Sequence, residues 1–192
     1  MTNQPLKVSI IMPTYHRPHC IGTAVRSVLA QTYPHWELIV SDNGGDGYRF
    51  DDPRIVVIDS RGVASAAFAR NQAIPHATGD VVGFLDDDDE LEPDYLESFV
   101  RVFEALPGMQ MVKCQMIRRG ELNETYGTPT VLVRRQLATP AWEPMWRQDR
   151  SYYGAIIERH GLSEEAGTLV ILPQALCRSG IDPRGGLREG GL

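Results

Sequence analysis

"GDVVGFLDDDDELEPDYL", residues 79–96, runs from a short apolar segment straight into five consecutive carboxylates, Asp86 to Glu90. The apolar part, "DVVGFL", reads as a buried strand entered from a Gly-Asp turn. Carboxylates packed at the end of such a strand repel, and ionising them together is costly without an opposite charge. If the extended backbone continues, alternation points Asp86 and Asp88 the same way. Mg²⁺ or Mn²⁺ supplies the opposite charge. Either ion prefers oxygen ligands, often takes one or two carboxylates, and completes its shell with phosphate oxygens and water. The pattern therefore predicts a metal–diphosphate site beyond a strand end. Glu90, Glu92 and Asp94 have a plainer reading, an acidic first turn of the next helix. That reading does not reach Asp86, Asp87 and Asp88.

Outward from this stretch the chain alternates. "LKVSIIM" is a β-branched apolar run ended by Pro13, and "CIGTAVRSVLAQT" is apolar at helical spacing and closed by Pro34. "WELIVS" and "RIVVID" read as strands on either side of the loop "DNGGDG". "ASAAFARNQAI" is an Ala-rich helix stopped by Pro75 and Gly79, and "PDYLESFVRVFEAL" is a helix with Pro93 in its first turn. This order predicts an α/β fold, a Rossmann-like, mainly parallel sheet flanked by helices. In such sheets ligands bind beyond the carboxyl ends of the strands. "PTYHRP", "SDNGGDG" and "DDDDE" all fall there, and their convergence outweighs any one of them.

The second half is less regular. "MQMVKCQMI" and "TVLVRR" read as strands, "QDRSYYGAIIERHG" as a helix ended by Gly161, and "TLVILPQALCRS" as extended chain. Residues 1–180 are expected to form one domain, followed by a flexible Gly-rich tail, 181–192.

With 192 residues the chain is long enough for a sizeable core, and its 42% hydrophobic and 23% charged residues are an ordinary globular balance. A net charge of -6 argues against a nucleic-acid binder. No apolar stretch approaches the roughly 18 residues of a membrane span. Cys20, Cys114 and Cys177 fit neither a disulfide framework nor a zinc site, so a cytoplasmic setting is expected, with peripheral membrane contact through a substrate or partner left open. A homodimer is a further open option.

Several motifs in order resemble the family 2 glycosyltransferases of GT-A fold. "VSIIMPTYHRP" resembles their opening strand and loop, "AVRSVLAQTYPHWELIVSDNGG" the next helix and strand, and "ARNQAIPHATGDVVGFLDDDDELEPDYL" the following helix, strand and Asp-x-Asp motif. The likeness covers about residues 6–105. Later, "QDRSYYGAIIERHG" is similar to the family's Glu-Asp segment, with Gln148 in place of Glu. The resemblance implies a nucleotide-diphospho-sugar donor, which the amide of Asn43 narrows to a UDP- or dTDP-type, a divalent Mn²⁺ or Mg²⁺, and transfer, usually with inversion, to a hydroxyl of a carbohydrate, lipid-linked or other acceptor. It implies that Pro13, Thr14 and Tyr15 line the nucleobase and ribose pocket, that Asp42 or Asn43 holds the base, and that Arg70 and Asn71 face the base or diphosphate. Asp86 and Asp87 would lie near ribose and metal, with Asp88 the principal metal ligand, Asp86 the second, and Asp149 the general base.

These residue types suit that chemistry. Tyr15 offers a face for base stacking, and an Asn side chain both donates and accepts, as an imide edge requires. Asp149 would take the acceptor proton. Plainer readings stand beside them: Tyr15 as a core aromatic, Arg70 on a solvated face, Asp149 paired with Arg147 or Arg150. Trp142 and Trp146 either stack on a sugar or belong to a core or interface. Two other function classes are a nucleotide-sugar binding module without transferase activity, and an Asp-x-Asp phosphoryl-transfer enzyme. Glu90 stands where haloacid-type phosphatases place a Thr.

Overall fold

A computed structural model of the chain describes residues 4–118, 120–123, 127–139, 142 and 148–179. The apolar runs become β1 (Val8–Thr14), β2 (Trp36–Asp42), β3 (Ile55–Asp59) and β4 (Val81–Phe84). β5 (Glu90–Leu91), β6 (Met111–Arg118), β7 (Glu121–Asn123), β8 (Val131–Arg134) and β9 (Leu169–Ser179) complete one sheet. The strand order is β3-β2-β1-β4-β8-β6-β9-β5, with β7 paired to β6. β3, β2, β1 and β4 form the parallel block that the sequence predicts. Beyond β4 the sheet is mixed, because β8 runs antiparallel to both β4 and β6 while β9 is parallel to β6.

The helices are α1 (Pro18–Leu29), α2 (Ala66–Ala73), α3 (Tyr95–Ala105) and α4 (Gln148–His160). Strand alternation sorts their contacts. Val8, Ile10 and Met12 of β1, with Leu38 and Val40 of β2, face one side and pack with Ile21, Val25 and Val28 of α1 and Leu96, Phe99 and Phe103 of α3. Ile11, Ile39, Val82 and Phe84 face the other side, against Ala67 and Ala73 of α2 and Tyr152, Tyr153 and Ile156 of α4. A sheet covered on both faces explains why its strands read as continuous apolar runs.

Prolines shift several boundaries. Pro13 does not end β1, which continues to Thr14. The Ile11 carbonyl accepts from Leu85 on the β4 side, and the Thr14 carbonyl accepts from Asn43 on the β2 side. Alternation therefore turns Pro13 toward β4, where its missing N–H stops that ladder and leaves the β2 ladder intact. Pro75 does not stop α2 abruptly; a turn of 3-10 helix, Ile74–His76, carries on from it. Pro34 lies beyond the end of α1, which closes at Leu29. Pro93 precedes α3 rather than entering its first turn, and Asp94 occupies the N-cap position. Pro173 sits inside β9, where the register with β6 slips between Lys113–Ile171 and Gln115–Ala175.

The acidic helix start is corrected in part. Glu90 lies in β5 opposite Arg178, and the Glu92 carboxylate accepts from Arg178 Nε at 2.8 Å. The first-turn acid of α3 is Glu97. The segment 181–192 lies outside the described residues.

Candidate active site

Strand order reverses between β1 and β4: β2 and β3 extend one way, and the next parallel strand lies on the other side. Crevices form at such a switch point, beyond the carboxyl ends. A cavity of about 360 Å³ opens there, lined by Pro13, Thr14 and Tyr15 from β1 and its loop, Arg17 at the start of α1, and Asn43 after β2. Ala66, Ala69 and Arg70 of α2 and Asp86, Asp87 and Asp88 after β4 close it. A groove of about 580 Å³ lies near the opposite strand ends. Its charged groups pair locally, Lys7 with Glu37 at 2.6 Å and Arg54 with Asp52 at 2.7 Å, and among the described residues its lining holds one carboxylate against the three of the switch-point cavity.

The extended backbone does not continue through the aspartates. β4 stops at Phe84, and Asp89 N–H closes a turn on the Asp86 carbonyl at 3.1 Å. Asp86 and Asp88 consequently do not act as an alternating pair. Asp86 is bound by Arg70 Nη2. Asp87 and Asp88 share one guanidinium: Arg17 Nη1 lies 2.7 Å from Asp87 Oδ1, and Nη2 donates to Asp88 Oδ2 at 2.9 Å. Thr14 Oγ1 donates to the other Asp87 oxygen at 2.9 Å. The opposite charge that the sequence assigned to a dication is thus supplied, in this structure, by two arginines. Arg17 was missed. Its signal was the placement of "PTYHRP" at the same strand ends as the aspartates, which brings a cation to them only if β1 and β4 are adjacent.

Burial governs the electrostatics. It pushes the Asp87 carboxyl up to about 6, with Arg17 and Thr14 pulling the other way. Asp88 is likewise raised by burial against the pull of Arg17. Burial works against the Arg17 charge, but Asp87 and Asp88 outweigh it and the guanidinium is held above its ordinary value.

Arg70 is no surface residue. It is 1% exposed, its guanidinium lies 4.3 Å from the Trp142 ring centroid, and its Nε and Nη1 are buried without a hydrogen-bond partner. Asn43 donates to the Val63 carbonyl at 2.9 Å and leaves a buried Oδ1 unpartnered. Tyr15 is 47% exposed at the cavity mouth rather than in the core, and tilts against His16. Asp42 is turned away from the cavity: its carboxylate accepts the N–H groups of Gly45, Asp46 and Gly47 and organises their loop. Asn71 spends its amide on Trp142, donating to the carbonyl at 2.9 Å and accepting from the N–H at 3.0 Å. Trp142 is buried and stacks on Tyr152 with 4.3 Å between centroids, which makes it core that also floors Arg70. Asp149 lies in the first turn of α4, but its side chain and all of Trp146 fall outside the described residues.

The donor set fits a dication only of one kind. Among the described residues no three His, Cys, Asp or Glu side chains come together as a metal cage. Asp86 and Asp88 fit an ion that takes one or two carboxylates and completes its shell from a ligand's oxygens and water.

A parallel nucleotide-type half-sheet, a switch-point cavity and buried acidic and guanidinium groups define a GT-A-type domain. The chain belongs to glycosyl transferase family 2, whose model matches residues 9–165. It is similar to the UDP-Glc:alpha-D-GlcNAc-diphosphoundecaprenol beta-1,3-glucosyltransferase WfgD of Escherichia coli, 44% identical over 88 residues, or 43% of this chain and 35% of that protein. Its fold matches S. aureus TarS in complex with UDP-GlcNAc at a TM-score of 0.71 and 17% identity, covering 94% of this chain and 61% of that one. It also matches the Pyrobaculum calidifontis mannosyltransferase PcManGT in complex with GDP-Man and Mn²⁺, at a TM-score of 0.68 and 18% identity over 92% of this chain and 57% of that one. The chain spans only 35% to 42% of the length of three curated relatives it matches.

Proposed function

We propose that the chain transfers a sugar, with inversion, from a nucleotide-diphospho-sugar to an acceptor hydroxyl. The observation that carries this reading is the switch-point cavity itself, where Tyr15, Asn43, Arg70 and Asp86 to Asp88 converge. Tyr15 presents an open aromatic face to a base. The buried, unpartnered Asn43 Oδ1 favours a ligand N–H, which the imide of uracil or thymine supplies. The two unpartnered nitrogens of Arg70 favour the oxygens of a diphosphate. Asp88, with Asp86, would hold Mn²⁺ or Mg²⁺, and a divalent ion there offsets charge on a departing diphosphate. Asp149 is assigned as the base for the acceptor hydroxyl, from the likeness of "QDRSYYGAIIERHG" to the family's Glu-Asp segment.

A lipid-linked carbohydrate is the acceptor class suggested by the name of WfgD. Peripheral contact with a membrane that carries such an acceptor is part of this reading; among the described residues no helix is long and apolar enough to cross one.

The test is transfer or hydrolysis from UDP-, dTDP- and GDP-sugars with Mn²⁺. UDP- or dTDP-sugars are expected to turn over best, and Asp88→Ala and Asp149→Asn each to lower kcat by at least ~100-fold. Unchanged turnover in both variants would overturn the mechanism. Metal-dependent UDP binding without turnover on any acceptor would instead mark a binding module.

A further inference from the structure

We propose that Arg17 is a built-in counter-ion for Asp87 and Asp88 that a metal–diphosphate pair must displace, so that cation and nucleotide bind as a coupled unit. This rests on the donor-site reading above and deepens it.

Arg17 immediately precedes Pro18, the first residue of α1, and its side chain is 25% exposed at the cavity lip. One guanidinium spans two adjacent carboxylates, at 2.7 Å to Asp87 and 2.9 Å to Asp88. Such two-pronged pairing is what a planar guanidinium does well and a point charge does not. Asp87 is also tied to Thr14 and is 3% exposed, so its place is fixed by the fold. Asp88 is the carboxylate that a dication would share. At Asp88 the guanidinium takes Oδ2, an oxygen the dication would use, and the two cations repel there, so the dication gains that oxygen only as Arg17 gives way.

The same cavity carries a second sign of an absent anion. Arg70 Nε and Nη1 are buried and unpartnered, although Arg70 already neutralises Asp86. The cavity thus closes its own acidic side through Arg17 while keeping donors for a negatively charged ligand. A dication arriving alone would leave Arg17 without its partners. A dication arriving with a diphosphate brings replacement anionic oxygens for the guanidinium. Binding of each partner should therefore favour binding of the other, by the same factor in both directions.

The experiment is titration of the free protein with Mn²⁺ alone, with UDP alone and with both, followed by calorimetry and Mn²⁺ spectroscopy. Wild type should bind Mn²⁺ alone weakly and bind it markedly more tightly with UDP. Arg17→Met should bind Mn²⁺ alone roughly tenfold more tightly than wild type, as loss of one charged hydrogen-bond competitor implies. Its coupling between Mn²⁺ and UDP should shrink. Arg17→Lys should fall between the two. Mn²⁺ alone should raise the Tm of Arg17→Met and leave that of wild type unmoved. If Arg17→Met binds the Mn²⁺–UDP pair but matches wild type for Mn²⁺ alone, the counter-ion role is overturned and the donor site survives. If wild type and variants all fail to bind Mn²⁺ with UDP, the donor-site reading falls and this proposal with it. Should Arg17→Met not fold, Arg17→Lys carries the test, and Mn²⁺ affinity and coupling equal to wild type overturn the role.

Discussion

At the scale of single residues, Trp142 shows how one side chain serves the core and the site together. It stacks on Tyr152, meets Phe84 edge-on, and lies under the Arg70 guanidinium. Asn71 clamps its backbone from both sides. Trp142→Ala is expected to cost about 3–5 kcal/mol in urea unfolding, the range for truncating a large buried aromatic. UDP affinity measured on the fraction that remains folded should fall as well, because Arg70 loses its floor. A stable variant with only weakened acceptor binding would contradict the core assignment. The sequence offered both readings of Trp142, since a tryptophan in an irregular segment carries no periodicity to place it.

At the scale of elements, the junction of β1 with β4 decides where the site lies. Gly79, just ahead of β4, packs so closely that a Cβ there would come within 2.7 Å of Ser9 N and 2.8 Å of Lys7 O. Both are main-chain atoms of the neighbouring strand and its approach, so they cannot swing aside. Gly108 meets nothing within 4 Å. Gly79→Ala should therefore destabilise by about 1–3 kcal/mol, as overpacking does. Gly108→Ala should stay within about 0.5 kcal/mol of wild type in the same denaturant titration. Equal effects would mean that the β1–β4 approach is looser than described. Apolar runs and helical spacing made these elements legible. β5 and β7 escaped because runs of two and three residues carry no usable period.

For the whole molecule, Glu37 fastens the amino-terminal ends of the parallel block. It accepts from Lys7 Nζ at 2.6 Å, from Ser9 Oγ at 2.6 Å and from the Thr78 N–H at 2.7 Å. Burial pushes its carboxyl up, but these donors more than reverse that and hold it at about 2. A carboxyl lowered on folding adds stability above its unfolded value of about 4.3, and loses it as pH falls through the folded value. The Tm advantage of wild type over Glu37→Gln should therefore be full near neutral pH, begin to shrink below about 4.5, and be mostly gone by about pH 2. An advantage that persists unchanged at pH 2 would show that the charge is not what Glu37 contributes.

The sequence by itself determined the α/β class, the parallel block and the side of the sheet on which polar clusters gather. Periodicity and turn residues are local signals, and these features follow from them. Only the tertiary structure decided how the aspartates are balanced. Arg17 and Arg70 stand 71 and 16 positions from the carboxylates they bind, and charge pairing at such separations depends on which strands become neighbours. It also separates Asp42 from Asn43: the Asp42 carboxylate is taken up by the N–H groups of its own loop, while Asn43 lines the cavity.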